Sequence, residues 1–144
     1  MRIVRDETGR RFFLIKRSTE QWLLRDPNTG ETTYRDPVEL EFVGGESALS
    51  IAAGTLPNPM RTLVTAVATE RTLGLLVELD RDGPLAVRTM LDRYDFCESD
   101  LHGILAEFRA AGLIEEQEIA GEGGYATTAV ASDALERLQR DQGN

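Results

Sequence analysis

Few residues in this 144-residue chain have types suited to covalent or acid–base chemistry, and their spacing argues against most of it. His102 is the only histidine and Cys97 the only cysteine, so no zinc or haem ligand set and no internal disulfide is expected. Cys97 stands just before a helical pattern, where a helix N-terminus can lower a thiol pKa and sensitise it to oxidants. The plainer reading is a small hydrophobe that suits a turn packed on Phe96. His102 can protonate near neutral pH and switch a helix surface; the plainer reading is an ordinary exposed side chain. Asp80 with Asp82, and Asp92 with Asp95, look like acid–base pairs, but without a metal or histidine partner they read as solvated helix ends. Gly121, Gly123 and Gly124 make no phosphate loop, because no lysine follows and strands flank them. No catalytic residue, metal or cofactor is expected, and the chain reads as a non-enzyme. What remains is recognition by charge, shape and hydrogen bonding.

The elements that position these residues run from Cys97 to Tyr125. Ser99 or Glu98 can cap a helix in which Leu101, Ile104, Leu105 and Phe108 form one apolar face. Gly112 ends it, Leu113 and Ile114 start an extended run through Ile119, and the three glycines allow a reversal. Tyr125 to Val130 then returns as an antiparallel partner. Upstream, Leu73, Leu76, Val77 and Asp80 follow helical spacing up to Asp82-Gly83-Pro84. Leu85 fits a short strand, and Val87, Met90, Leu91 and Tyr94 a further helix. After the hairpin, Ser132 can cap a last helix carrying Leu135 and Leu138, with 141–144 fraying. That helix completes the core or forms a two-fold interface.

Residues 1–43 read as an antiparallel β-meander. Ile3, Val4, Phe12 to Ile15, and Gln21 to Arg25 are strand-rich, with turns at Glu7 to Arg10 and at Asp26-Pro27-Asn28-Thr29-Gly30. Val38, Leu40 and Phe42 alternate with Glu39 and Glu41, as in a strand with one wet face. Residues 44–68 read as a helical connector, with Ser47 to Ala53 as a short helix and a boundary at Leu56-Pro57-Asn58-Pro59, and 69–144 as the second domain. The fold class expected is α+β. No apolar run could span a bilayer and no signal-peptide pattern is seen, so a cytoplasmic protein with no membrane contact is expected.

Charge is unevenly divided. Met1 to Ala68 carries 9 basic and 9 acidic residues, Thr69 to Asn144 carries 7 and 16, and so the net charge of −9 lies in the second half. Fifteen of the 16 basic residues are arginine. Arg2, Arg5, Arg10, Arg11, Lys16 and Arg17 crowd the first 17 residues beside Phe12, Phe13 and Trp22. Cations interleaved with aromatics can form a nucleic-acid platform; alternatively the rings fill a small core while the arginines are solvated or paired.

Thr69-Glu-Arg-Thr-Leu-Gly-Leu-Leu-Val-Glu-Leu, Gly83-Pro-Leu-Ala-Val and Phe108-Arg-Ala-Ala-Gly-Leu-Ile, with the glycine loop and Tyr125, resemble the winged helix-turn-helix repressors of bacteria and archaea. The whole chain is also similar to short proteins of halophilic archaea that join a β-rich part to such a domain. The resemblance implies a DNA-binding transcriptional regulator, with duplex DNA as partner and a homodimer as the family-level assembly. It also implies that Ser99 to Ala111 enters the major groove and that the hairpin tip meets the backbone. The positions mapped are Ser99, Asp100, His102, Gly103, Ala106 and Arg109 on the helix, and Gly121, Gly123 and Gly124 on the wing. Between Cys97 and Phe108 there is no arginine, lysine, asparagine or glutamine, the residues that make bidentate base contacts. Glu115 to Gly124 holds four glutamates and no cation. Like charges at ~4 Å repel by about 1 kcal/mol in water. At ~1 M salt the screening length is ~3 Å, so a salt-rich cytoplasm removes most of that cost. The alternative function is a winged-helix module that docks a protein partner and does not bind DNA.

Overall fold

A computed structural model describes residues 1–140; the fraying expected for 141–144 lies outside the described residues. The chain divides into two compact units, Met1–Pro57 and the part from Asn58 onward. Residues 44–68 contribute one helix to each.

In the first unit, β1 (Arg2–Arg5), β2 (Arg11–Lys16), β3 (Trp22–Arg25), β4 (Thr32–Arg35) and β5 (Glu41–Val43) form an antiparallel sheet in the order β4-β3-β2-β1-β5. The first four strands follow as a meander. The fifth leaves it and pairs with β1, Val4 opposite Phe42 and Arg5 opposite Glu41. The strand expected through Val38 is a correction. Pro37–Glu39 forms a 3-10 turn capped by Asp36, whose carboxylate accepts the Val38 N–H at 2.9 Å, and Val38 is 89% exposed. A proline with fixed φ beside a capping aspartate outweighs apolar alternation over so few residues. Val4, Phe12 and Leu24, with Leu14, Trp22 and Leu40, make a small core. A short helix, α1 (Ala48–Ala53), is capped by Ser47.

Two aspartates organise the turns of this sheet. Asp6 Oδ1 accepts from the Thr8 hydroxyl at 2.6 Å and from the N–H groups of Thr8 and Arg10 at 2.9 and 3.0 Å. Asp26 Oδ1 accepts the Asn28 N–H at 2.8 Å. Gly9 and Gly30 complete the turns at φ +89° and +75°, a left-handed backbone that residues with a side chain rarely adopt. The Thr8 hydroxyl holds the Asp6 carboxyl below the usual carboxylate range, and the Asn28 N–H does so for Asp26.

The second unit contains α2 (Asn58–Ala66), α3 (Glu70–Asp82), β6 (Leu85–Ala86), α4 (Val87–Arg93), α5 (Glu98–Ala110), β7 (Ile114–Ile119), β8 (Glu122–Thr127) and α6 (Ala129–Gln139). Thr69 separates α2 from α3: its backbone is extended, and it exchanges capping hydrogen bonds with Thr72. Leu63, Leu75, Leu76, Leu79, Met90, Leu101, Leu105, Phe108, Leu113 and Leu135 share one continuous core. The strands lie in the order β6-β8-β7. The last helix begins earlier than expected, on Thr128 rather than Ser132. The Thr128 hydroxyl accepts the Ala131 N–H, while the Ser132 hydroxyl donates to Asp80 at 2.6 Å.

Candidate nucleic-acid interface

The α4–turn–α5 pair followed by the β7–β8 hairpin places a helix and a ribbon side by side. Leu101, Leu105 and Phe108 anchor α5 in the core and leave Ser99, Asp100, His102, Gly103 and Ala106 exposed on its outer side. Its start differs from the expectation. Cys97 is the cap residue and uses no side-chain bond; its carbonyl accepts the Leu101 N–H at 3.0 Å, so Glu98 and Ser99 lie inside the helix. Glu98 and Asp100 then occupy the first turn, where the positive end of the helix dipole favours carboxylates. The helix ends at Gly112, φ +79°, as the N–H groups of Leu113 and Gly112 reach back to the carbonyls of Phe108 and Arg109 at 2.9 and 3.0 Å.

The reversal of the hairpin is tighter than the three glycines suggest. Ala120 at φ +51° and Gly121 at φ +82° form a two-residue turn, as suits the twist of a hairpin. Gly123 and Gly124 are not in the loop: they pair with Glu118 and Gln117 inside the ribbon. Gly124 is required by close packing, since a Cβ there would lie 2.4 Å from the Leu85 carbonyl oxygen and 2.8 Å from the Ala86 Cα. The strand return also stops short of Val130, because Thr128 opens α6.

The two arginines on this surface are each paired with a carboxylate, and carboxylates outnumber them. Arg109 is exposed, but its Nη1 donates to Glu116 of β7 at 2.8 Å. His102 Nε2 lies 3.7 Å from Glu98, and Arg88 lies 3.7 Å from Glu122. Glu115, Glu116, Glu118 and Glu122 are all exposed. An open groove between α5 and the ribbon is lined by His102, Ala106, Arg109, Ala110 and Tyr125.

The six N-terminal cations do not make one basic surface. Arg5 pairs with Glu41, Arg10 with Asp26, and Arg11 with Glu46 at 2.8 Å. Lys16 stands across a bulge from Leu23, on the opposite face from Arg2. Arg2 and Arg17 alone of the six lie over the Trp22–Phe42 rings. Sequence reasoning missed Asp80, which is not a solvated helix end. It is half-buried and accepts the hydroxyls of Thr127 and Ser132 at 2.9 and 2.6 Å, tying α3 to the ribbon and the last helix. Asp82 pairs with Arg93 at 3.4 Å. Among the described residues, no group of histidine, cysteine, aspartate and glutamate could hold a metal ion, and no helix is long and apolar enough to cross a membrane.

A three-helix core with a two-stranded wing joined to the strand between its helices defines the winged helix-turn-helix class. Vibrio cholerae HlyU superposes with a TM-score of 0.50 at 25% identity, covering 68% of this chain and all of that one. Reduced HlyU from the same organism gives 0.49 at 28% identity over 60% of this chain and 90% of that one. An ArsR-like transcriptional regulator from Rhodococcus gives 0.46 at 19% over 59% and 79%. The fold assignment rests on the first of these. No curated protein matches the chain. The chain belongs to the family of unknown function DUF7346, whose model matches residues 1–139.

Proposed function

We propose that this protein is a transcriptional regulator that binds duplex DNA through α5 and the β7–β8 wing, with Ser99, Asp100, His102, Gly103 and Ala106 facing the groove. The observation that carries this reading is an amphipathic second helix whose outer side is small and exposed, next to a ribbon closed by a two-residue turn at Gly121. A slim helix surface can approach base edges closely. With no arginine or lysine free on α5, base discrimination falls to DNA shape and to hydroxyl and imidazole contacts. The wing carboxylates are tolerated where salt screens them, in keeping with an acidic protein of a high-salt interior. Anisotropy titration in molar salt with duplex DNA from the chain's own upstream region tests it. Binding at or below micromolar concentration is expected, with at least a tenfold loss in Ala106→Glu; absence of binding at that concentration overturns the proposal.

A second reading draws on the charge pattern. Arg109 neutralised by Glu116, beside a wing of exposed glutamates, complements a basic protein surface. A stoichiometric protein partner that survives nuclease treatment of the lysate supports this reading over the first.

A further inference from the structure

Among the described residues the ion pairs of the first unit leave out Lys16, Arg25, which lies over Phe13, and two arginines at one corner of its sheet. Arg5, Arg10, Arg11 and Arg35 each meet a carboxylate. Arg2 and Arg17 form no ion pair among the described residues; Arg2 turns onto Phe42, and Arg17 onto both Trp22 and Phe42. The Arg2 guanidinium lies 3.6 Å from the Phe42 centroid. That of Arg17 lies 5.1 Å from Trp22 and 5.4 Å from Phe42. The ring centroids are 5.4 Å apart, with planes inclined at 37°. Phe42 is 37% exposed, Trp22 is half-buried, and both arginines are exposed.

This corner offers two cations and two aromatic faces within one side chain's reach. A compact anion would use only the cations. Duplex DNA would present phosphates, its base faces being stacked away. An unpaired nucleotide presents both a phosphate for an arginine and a flat base for a ring. The exchange is downhill, because a base stacked on an aromatic face is held more strongly than a guanidinium in an exposed cation–π contact. A base can therefore displace a guanidinium from its ring and release it to the adjoining phosphate.

We propose that Arg2, Arg17, Trp22 and Phe42 form a binding site for single-stranded nucleic acid, separate from the winged-helix surface. Trp22 is the only tryptophan in the chain, so its emission reports on this corner alone. The test titrates the full chain at low salt with a thymidylate oligonucleotide, with a mixed-sequence duplex of equal length, and with heparin. Quenching of Trp22 by the oligonucleotide is expected, with a dissociation constant of roughly 10⁻⁴–10⁻⁶ M, and neither the duplex nor heparin should quench comparably. Arg2→Glu/Arg17→Glu should weaken binding at least tenfold. If that variant loses its circular dichroism, the milder Arg2→Gln/Arg17→Gln pair replaces it and should weaken binding severalfold. Unchanged emission at about 100 μM oligonucleotide, equal quenching by heparin or duplex, or unchanged affinity in a folded double variant each overturns the proposal. Ala106→Glu should leave this titration unaltered, so it fails or succeeds independently of duplex binding by α5.

Discussion

The two units solve the same stability problem with different materials. The winged unit buries a continuous set of leucines with Met90 and Phe108, and its exposed charges meet one another across water. The sheet unit buries fewer and more scattered side chains, Val4, Phe12 and Leu24 in one cluster with Ile3 and Phe13 beside them in the strands, and it adds aspartate-bound turns and arginines laid over rings. Apolar burial is additive and needs little geometry, whereas a buried carboxylate is favourable only while its donors stay in place. The winged unit should therefore respond most to lost volume, and the sheet unit to lost hydrogen bonds or a change of pH.

The largest expected effect is on the apolar side. Phe108, 2% exposed, replaced by alanine should cost about 3–5 kcal/mol. Because the winged unit holds most of the helix, circular dichroism at 222 nm should show a larger shift of the urea midpoint than Trp22 fluorescence does. Equal shifts would break the contrast between the two units. Gly124→Ala comes next: its Cβ would collide with the Leu85 carbonyl and the Ala86 backbone, and overpacking of this kind costs about 1–3 kcal/mol. Hydrogen exchange at Leu85 and Ala86 should rise in parallel.

Asp6→Ala sharpens the other half of the comparison. It leaves the Thr8 and Arg10 N–H groups without their acceptor, with an expected loss of about 1–3 kcal/mol, read by Trp22 emission in denaturant. Since the folded-state pKa values of Asp6 and Asp26 are depressed, their contribution is present above the ordinary unfolded value of ~3.9 and is lost as pH falls through the folded values. Trp22 emission should thus show an acid transition below about pH 4 that is weaker in Asp6→Asn. The smallest effect has the opposite sign. Ala120 adopts a left-handed backbone that glycine tolerates, so Ala120→Gly should stabilise the wing by about 0.5–1 kcal/mol in the same urea assay.

Local patterns in the sequence carried much of this. Leu101, Leu105 and Phe108 at helical spacing specify the buried side of α5, and Gly112 specifies its end, because both depend on neighbours within one or two turns. The pairing of β5 with β1 was hidden, since it joins residues far apart in sequence and Asp36-Pro37 masks the intervening turn. The sequence shows the wing as a reversal over three glycines, of which Gly121 alone lies in the turn: the three look alike until Leu85-Ala86 is known to press on the third. The outer positions of α5 were legible as exposed. The pairing of Arg109 was not, because its bond to Glu116 depends on how the ribbon lies against the helix.

Thr128 joins what the ribbon and the last helix do. Its hydroxyl donates to the Gly112 carbonyl at 2.6 Å, its N–H donates to Leu113 at 3.0 Å, and its side chain opens α6. One residue is thus both the buckle at the foot of the hairpin and the first peg of the closing helix. A sideways lean of the ribbon must pull on that peg, so mechanical freedom at the tip is paid out through the helix behind it.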